Sequence, residues 1–132
     1  KHGFFIEPSL FDHVTSDMRI AQEEIFGPVL SVLRVPDTAT ALSVANNVRY
    51  GLTASIYTRD ISKALTFTDK LQAGIVHVNS PTVGGEAHIP FGGMKATGVG
   101  IREMGREAIA FFTELKVVYW DYTGSDRKGN LY

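Results

Sequence analysis

Thr53-Ala54-Ser55-Ile56-Tyr57-Thr58 is a β-prone run, and Arg59-Asp60 leads from it into Ile61-Ser62-Lys63-Ala64-Leu65-Thr66-Phe67-Thr68-Asp69-Lys70-Leu71. Ile61, Ala64, Leu65, Thr68 and Leu71 recur at helical spacing, and Asp60 stands where a side-chain oxygen caps a first turn. Gly74 is expected to end that helix, and Ile75-Val76-His77-Val78 to form the next strand. The same grammar runs upstream. Val29 to Val35 reads as a strand opened by Gly27-Pro28 and closed by Pro36. Asp37 or Thr38 then caps a helix carrying Ala41, Leu42, Ala45 and Val48, with Tyr50-Gly51 marking its end. Two strand–helix–strand alternations within 50 residues predict an α/β layer with parallel strands.

Outside this unit, Phe4-Phe5-Ile6 and Leu10 to Val14 read as short extended segments around Pro8. A Gly-rich stretch from Ser80 to Gly105 includes Gly84-Gly85 and Gly92-Gly93, and loops of that length in a compact domain are usually functional. A short helix over residues 106–112 and a last strand over residues 115–122 follow. Along that strand Val117, Tyr119 and Asp121 share one face and Val118, Trp120 and Tyr122 the other. The polar tail, residues 123–132, is expected to be flexible.

Composition narrows the function. Hydrophobic residues make up 44% and charged residues 20% of 132 residues, the balance of one ordinary globular domain. Thirteen basic against fourteen acidic side chains give a formal charge of −1, so there is no electrostatic case for nucleic acid or an anionic membrane. No apolar run reaches the roughly 18 residues of a membrane span. The absence of cysteine excludes disulfides, a thiolate zinc site and a thiol nucleophile in this chain, and fits a cytoplasmic protein. The start on Lys1 without an initiator Met leads to the expectation of a processed or truncated polypeptide. His2, His13, His77 and His88 are scattered, so no metal site is expected. Glu103 replaces the third glycine of a dinucleotide fingerprint after Gly98 and Gly100, and Val99 the lysine of a P-loop, so both phosphate-loop readings fail.

Ala21-Gln22-Glu23-Glu24-Ile25-Phe26-Gly27-Pro28-Val29 is more specific. It is either a charged loop before a strand, with Phe26 in the core, or a turn that presents a carboxylate and an aromatic face together. A carboxylate can accept both hydroxyls of a ribose, and an aromatic ring packs beside a planar one. With this stretch, six further blocks stand in order: Gly3-Phe4-Phe5-Ile6-Glu7-Pro8; Ala45-Asn46-Asn47 with Tyr50-Gly51-Leu52-Thr53-Ala54; Gly74 to Asn79; Pro90-Phe91-Gly92-Gly93-Met94-Lys95; Gly98 to Glu103; and Phe112 to Lys116. Together they resemble the C-terminal portion of the aldehyde dehydrogenase superfamily over residues 3–122.

The resemblance implies part of a doubly wound, mainly parallel sheet with a C-terminal oligomerisation strand. It implies the catalytic domain over residues 1–113, the oligomerisation strand over 114–122 and the tail over 123–132. The whole protein would oxidise an aldehyde to a carboxylate with NAD or NADP, as a homo-oligomer. Glu24 would bind the nicotinamide ribose hydroxyls, Phe26 would border the nicotinamide, and Glu23 would be a loop-stabilising charge. Phe91 would approach the aldehyde, although a core phenylalanine in a glycine-rich turn is an equal alternative. Residues 81–89 resemble the segment that shapes the aldehyde entrance, where Glu86 and His88 face either substrate or water. Arg102 and Glu114 resemble positions supporting helix and subunit contacts, with an ordinary solvated charge as the alternative for each. The family's thiolate nucleophile and general-base glutamate lie upstream, so this chain contributes no catalytic residue and is expected to be inactive alone. The competing expectation is a non-catalytic module that binds partner subunits through its last strand.

Overall fold

The computed structural model describes residues 2–120 and residue 122. Its centre is the β4–α3–β5 unit: β4 (Thr53–Ile56), α3 (Ile61–Lys70) and β5 (Ile75–Val78), with β4 and β5 parallel and Thr53 opposite Ile75. Asp60 starts α3, its carboxylate accepting from the N–H groups of Ser62 (2.9 Å) and Lys63 (3.2 Å). Phe67, Leu71 and Ala73 form the buried core, with Leu42, Ala54, Ile56 and Val76 packed against them. Burying a side chain the size of Phe67 or Leu71 is worth about 1.5–3 kcal/mol, which makes this cluster the main source of local stability. Asn79 closes the unit by donating to Thr58 O and accepting from Thr58 N–H.

Upstream, β1 (Ser9–Phe11) pairs in parallel with β2 (Val29–Ser31), and α1 (Arg19–Gln22) lies between them in sequence. The helix α2 (Thr38–Asn46) packs on α3, and the Asp37 carboxylate accepts from Thr40 N–H at 2.7 Å. A third ladder is antiparallel, joining β3 (Tyr50–Gly51) to β6 (Met94–Lys95). The last helix is α4 (Gly105–Phe111). The fold is therefore α/β with parallel strand pairs, as the sequence predicts, and among the described residues the strands form three two-stranded ladders rather than one continuous sheet.

Several expectations need correction. Residues 4–6 form no strand; the ladder begins at Ser9, whose N–H bonds Pro28 O, while Pro8 has no N–H to offer. The strand expected through Val35 ends at Ser31, because His13 at φ 57° breaks the ladder's register, and Val14 rather than His13 donates to Val32 O at 3.1 Å. Val48 lies beyond α2, which ends on Asn47, and Tyr50-Gly51 is a strand rather than a helix stop. Gly51 is required for space: a Cβ there would collide with Gln72 O. Gly74 is likewise not the end of α3, which stops at Leu71; a Cβ at Gly74 would collide with Gly92 O and the Arg102 guanidinium.

The last strand is the largest departure. Residues 114–120 belong to no strand, since a β-strand requires a neighbour to complete its ladder and no described segment of this chain supplies one. Asp121 and the tail expected to be flexible, residues 123–132, lie outside the described residues.

Candidate functional site

Two clefts flank the N-terminal end of β4, and Leu52 and Thr53 line both. The first, about 520 Å³, is bordered by Gln22, Glu23 and Glu24 on one side and by Ala45, Val48 and Tyr50 on the other. The second, about 410 Å³, is lined by Ile75, His77, Ile89, Phe91 and Met104, with Glu86 from the loop ahead of Phe91. Thr53 Oγ1 is enclosed on the wall between them with no hydrogen-bond partner among the described residues.

Local geometry separates the two adjacent carboxylates of the first cleft. Glu23 reaches back one helical turn, and Arg19 Nε donates to its Oε2 at 2.7 Å. Glu24 is exposed and has no hydrogen-bond or ion-pair partner among the described residues. Just beyond it, Phe26 is held at φ 55°, in the left-handed region where a bulky residue is strained, and its side chain is 92% exposed. Within this chain Phe26 is not part of the buried core. A free carboxylate at a cleft rim, followed by a bare aromatic face, fits a ribose diol next to a planar heteroaromatic ring.

Phe91 is held from its backbone. It exchanges two 2.7 Å hydrogen bonds with Glu103, which folds residues 92–102 into a closed loop. Inside the loop Arg102 Nη1 donates to Gly93 O at 2.9 Å, so the Arg102 charge is used inward rather than solvated. Phe91 is 38% exposed in this chain and lines the second cleft. Glu86 and His88 lie 3.4 Å apart and both are largely exposed, Glu86 at the rim of the second cleft. Glu114 is exposed.

Sequence reasoning assigned no role to His77, Gln22 or Lys95. His77 alternates with Ile75 along β5, so strand period alone places both on the second cleft. Its Nδ1 lies 3.3 Å from Ser80 Oγ. Among the described residues no cluster of His, Asp and Glu is arranged to hold a metal ion, and no helix is long and apolar enough to cross a membrane.

Residues 1–118 match the aldehyde dehydrogenase family. The chain is 46% identical over 119 residues to the alpha-ketoglutaric semialdehyde dehydrogenase of Bacillus subtilis, covering 90% of this chain and 24% of that protein. It superposes on an aldehyde dehydrogenase from Burkholderia cenocepacia with a TM-score of 0.80 at 44% identity, over 86% of this chain and 24% of that one. A Mycobacterium tuberculosis aldehyde dehydrogenase complexed with NAD+ gives a TM-score of 0.78 at 39% identity, over 85% of this chain and 23% of that one. The chain thus belongs to the aldehyde dehydrogenase family and spans about a quarter of the length of the curated relatives it matches.

Proposed function

We propose that this chain supplies part of the coenzyme and aldehyde sites of an enzyme that oxidises an aldehyde to a carboxylate with NAD+ or NADP+. The observation that carries the proposal is the free Glu24 carboxylate beside the Arg19-bound Glu23, at the mouth of a cleft. In that reading Glu24 accepts hydrogen bonds from the nicotinamide ribose hydroxyls, and the Phe26 ring borders the nicotinamide. Bound NAD(P)+ would accept the hydride. Phe91 forms one apolar wall for the aldehyde, across the Leu52-Thr53 partition from Glu24, so coenzyme and substrate approach the same partition from opposite sides.

The chain contains no cysteine, so the nucleophile of the reaction comes from other residues of a longer polypeptide, and this chain alone has no turnover. The longer protein is a homo-oligomer. Leu115, Val117 and Val118 are 93%, 65% and 65% exposed, an apolar edge suited to pairing with another subunit. The direct test is coenzyme reduction by the full-length protein with NAD+ or NADP+ and a panel of aldehydes, beginning with alpha-ketoglutaric semialdehyde, the substrate named for the Bacillus subtilis relative. Oxidation of an aldehyde with stoichiometric NAD(P)H is expected. A full-length protein that reduces neither coenzyme with any aldehyde, while still binding partner subunits, would instead be the non-catalytic module.

A further inference from the structure

The dipeptide Asn46-Asn47 sits at the end of α2 and offers two consecutive backbone carbonyls to two separate segments that border the site. Gln22 Nε2 donates to Asn47 O at 3.0 Å and to Ser16 O at 2.7 Å, binding the end of α1, one residue ahead of the Glu23-Glu24 pair, to α2. Lys95 Nζ donates to Asn46 O at 3.0 Å. Lys95 belongs to the β6 hairpin that follows Phe91-Gly92-Gly93, and its stem crosses Gly51, with Cε 3.2 Å from where a Cβ would stand.

The dipeptide is itself fastened to the core. Asn46 Nδ2 donates to Lys70 O at 2.9 Å, and its Oδ1 accepts from Gln72 N–H at 2.8 Å, which ties it to the end of α3 and the approach to β5. Helix ends leave their last carbonyls without intrahelical partners, so these two oxygens are natural acceptors. The segment before Glu24 and the hairpin after Phe91 therefore hang on one rigid point of the β4–α3–β5 unit.

We propose that Gln22 and Lys95 are positioning residues, which set the Glu24 segment and the Phe91 hairpin in a common frame through the Asn47 and Asn46 carbonyls. The proposal rests on the coenzyme and aldehyde assignments made above. The two donors act on separate carbonyls, and Lys95 stands between Phe91, which lines the second cleft, and Ala96-Thr97, which line the first. Gln22 therefore acts on coenzyme binding through the Glu24 segment, and Lys95 on both clefts, through Phe91 and through Ala96-Thr97.

The experiment uses the full-length enzyme with Gln22→Met, Lys95→Met and Lys95→Arg, and with Glu24→Gln and Phe91→Ala as references. Coenzyme affinity is read by fluorescence titration with NAD(P)H, aldehyde KM by steady-state kinetics, and folding by thermal midpoint. Loss of one such hydrogen bond corresponds to a change of about five- to tenfold. Gln22→Met is expected to raise the coenzyme Kd by that factor and leave the aldehyde KM within about twofold. Lys95→Met is expected to raise both constants by that factor, and Lys95→Arg to leave both near native because it keeps a donor. Lys95 is exposed, so its arm stands even if Gln22→Met folds poorly. Equal shifts of both constants in Gln22→Met, or no shift in either Met variant while the references respond, would overturn the shared anchor. Silent references would overturn the underlying site assignment.

Discussion

Arg19 and Glu23 are joined across one helical turn, Nε to Oε2 at 2.7 Å, and this pairing decides which of two neighbouring carboxylates is available to a ligand. Both side chains are more than half exposed, so the ion pair adds little to stability, about 0.3–0.5 kcal/mol for such a helical pair. Its consequence is orientation. Glu23 is directed back along α1 while Glu24 faces the cleft without a competing cation. Exchanging the carboxylates for amides one at a time should therefore be asymmetric in the full-length enzyme. Glu23→Gln should leave coenzyme Kd within about twofold, whereas Glu24→Gln should raise it about tenfold, the loss of a charge-assisted hydrogen bond. Isothermal titration with NAD+ measures both, and equal responses would remove the distinction.

Phe91→Ala should act on the other side of the partition. It removes an apolar wall from the second cleft while the Phe91–Glu103 backbone bonds persist, so aldehyde KM should rise with coenzyme Kd unchanged. The expected loss is about 1–3 kcal/mol in transition-state binding for an apolar aldehyde. Steady-state kinetics over a series of aldehyde chain lengths measures it, and a KM indifferent to the change would place Phe91 outside the pocket.

Gly74→Ala tests the packing that holds the site together. The added methyl has no room between Gly92 O and the Arg102 guanidinium, so the loop carrying Phe91 must move off β5. The expected destabilisation is more than about 3 kcal/mol, in the range of severe steric substitutions. Denaturant unfolding of the full-length protein, compared with Gly98→Ala where a Cβ meets open space, isolates the effect.

Acid should loosen the end of the β1–β2 ladder, where Asp12 and Arg34 pair. Arg34 beside Asp12, at 2.6 Å, is the main cause that holds the Asp12 carboxyl below its ordinary value of 3.8, and the His13 N–H adds to it. A carboxyl depressed in the folded state stabilises it above the unfolded value, and that contribution is lost as pH falls through the folded value. The difference in thermal midpoint between the native protein and Asp12→Asn should thus be present at neutral pH and disappear below pH 3.8. A difference that persists in acid would show that the carboxylate charge is not its source.

The parts of this fold legible in the sequence are those fixed locally. Asp60 and Asp37 act as the helix caps their positions suggest, and the short β-branched run Ile75–Val78 forms β5. Gly51 and Gly74 were misleading because a glycine serves equally for left-handed geometry and for close approach, and only the three-dimensional neighbours, Gln72 O and Gly92 O, distinguish the two. Strand β3 was missed for a related reason: its partner, Met94-Lys95, lies more than 40 residues away, and two-residue ladders have no period. Residues 115–120 show the opposite failure, since strand propensity cannot create a ladder without a neighbour.

Within the candidate site, the roles proposed for Glu24, Phe26 and Phe91 come from the resemblance, and the geometry supplies what those roles need, an unpaired carboxylate, an exposed aromatic ring at Phe26 and a cleft-lining one at Phe91. Gln22 and Lys95 were not legible, because each acts through a main-chain carbonyl, and a backbone acceptor leaves no mark on the residue type that provides it.

The central claim is that Glu24 holds the coenzyme for hydride transfer. Rapid-quench or stopped-flow observation of the first NAD(P)H formed by full-length Glu24→Gln, at saturating coenzyme and aldehyde, tests it most directly. The account predicts a hydride-transfer step slowed about 10–100-fold, since a carboxylate that fixes the ribose also fixes the nicotinamide over the reacting carbon. A first-turnover rate equal to that of the native enzyme would contradict it.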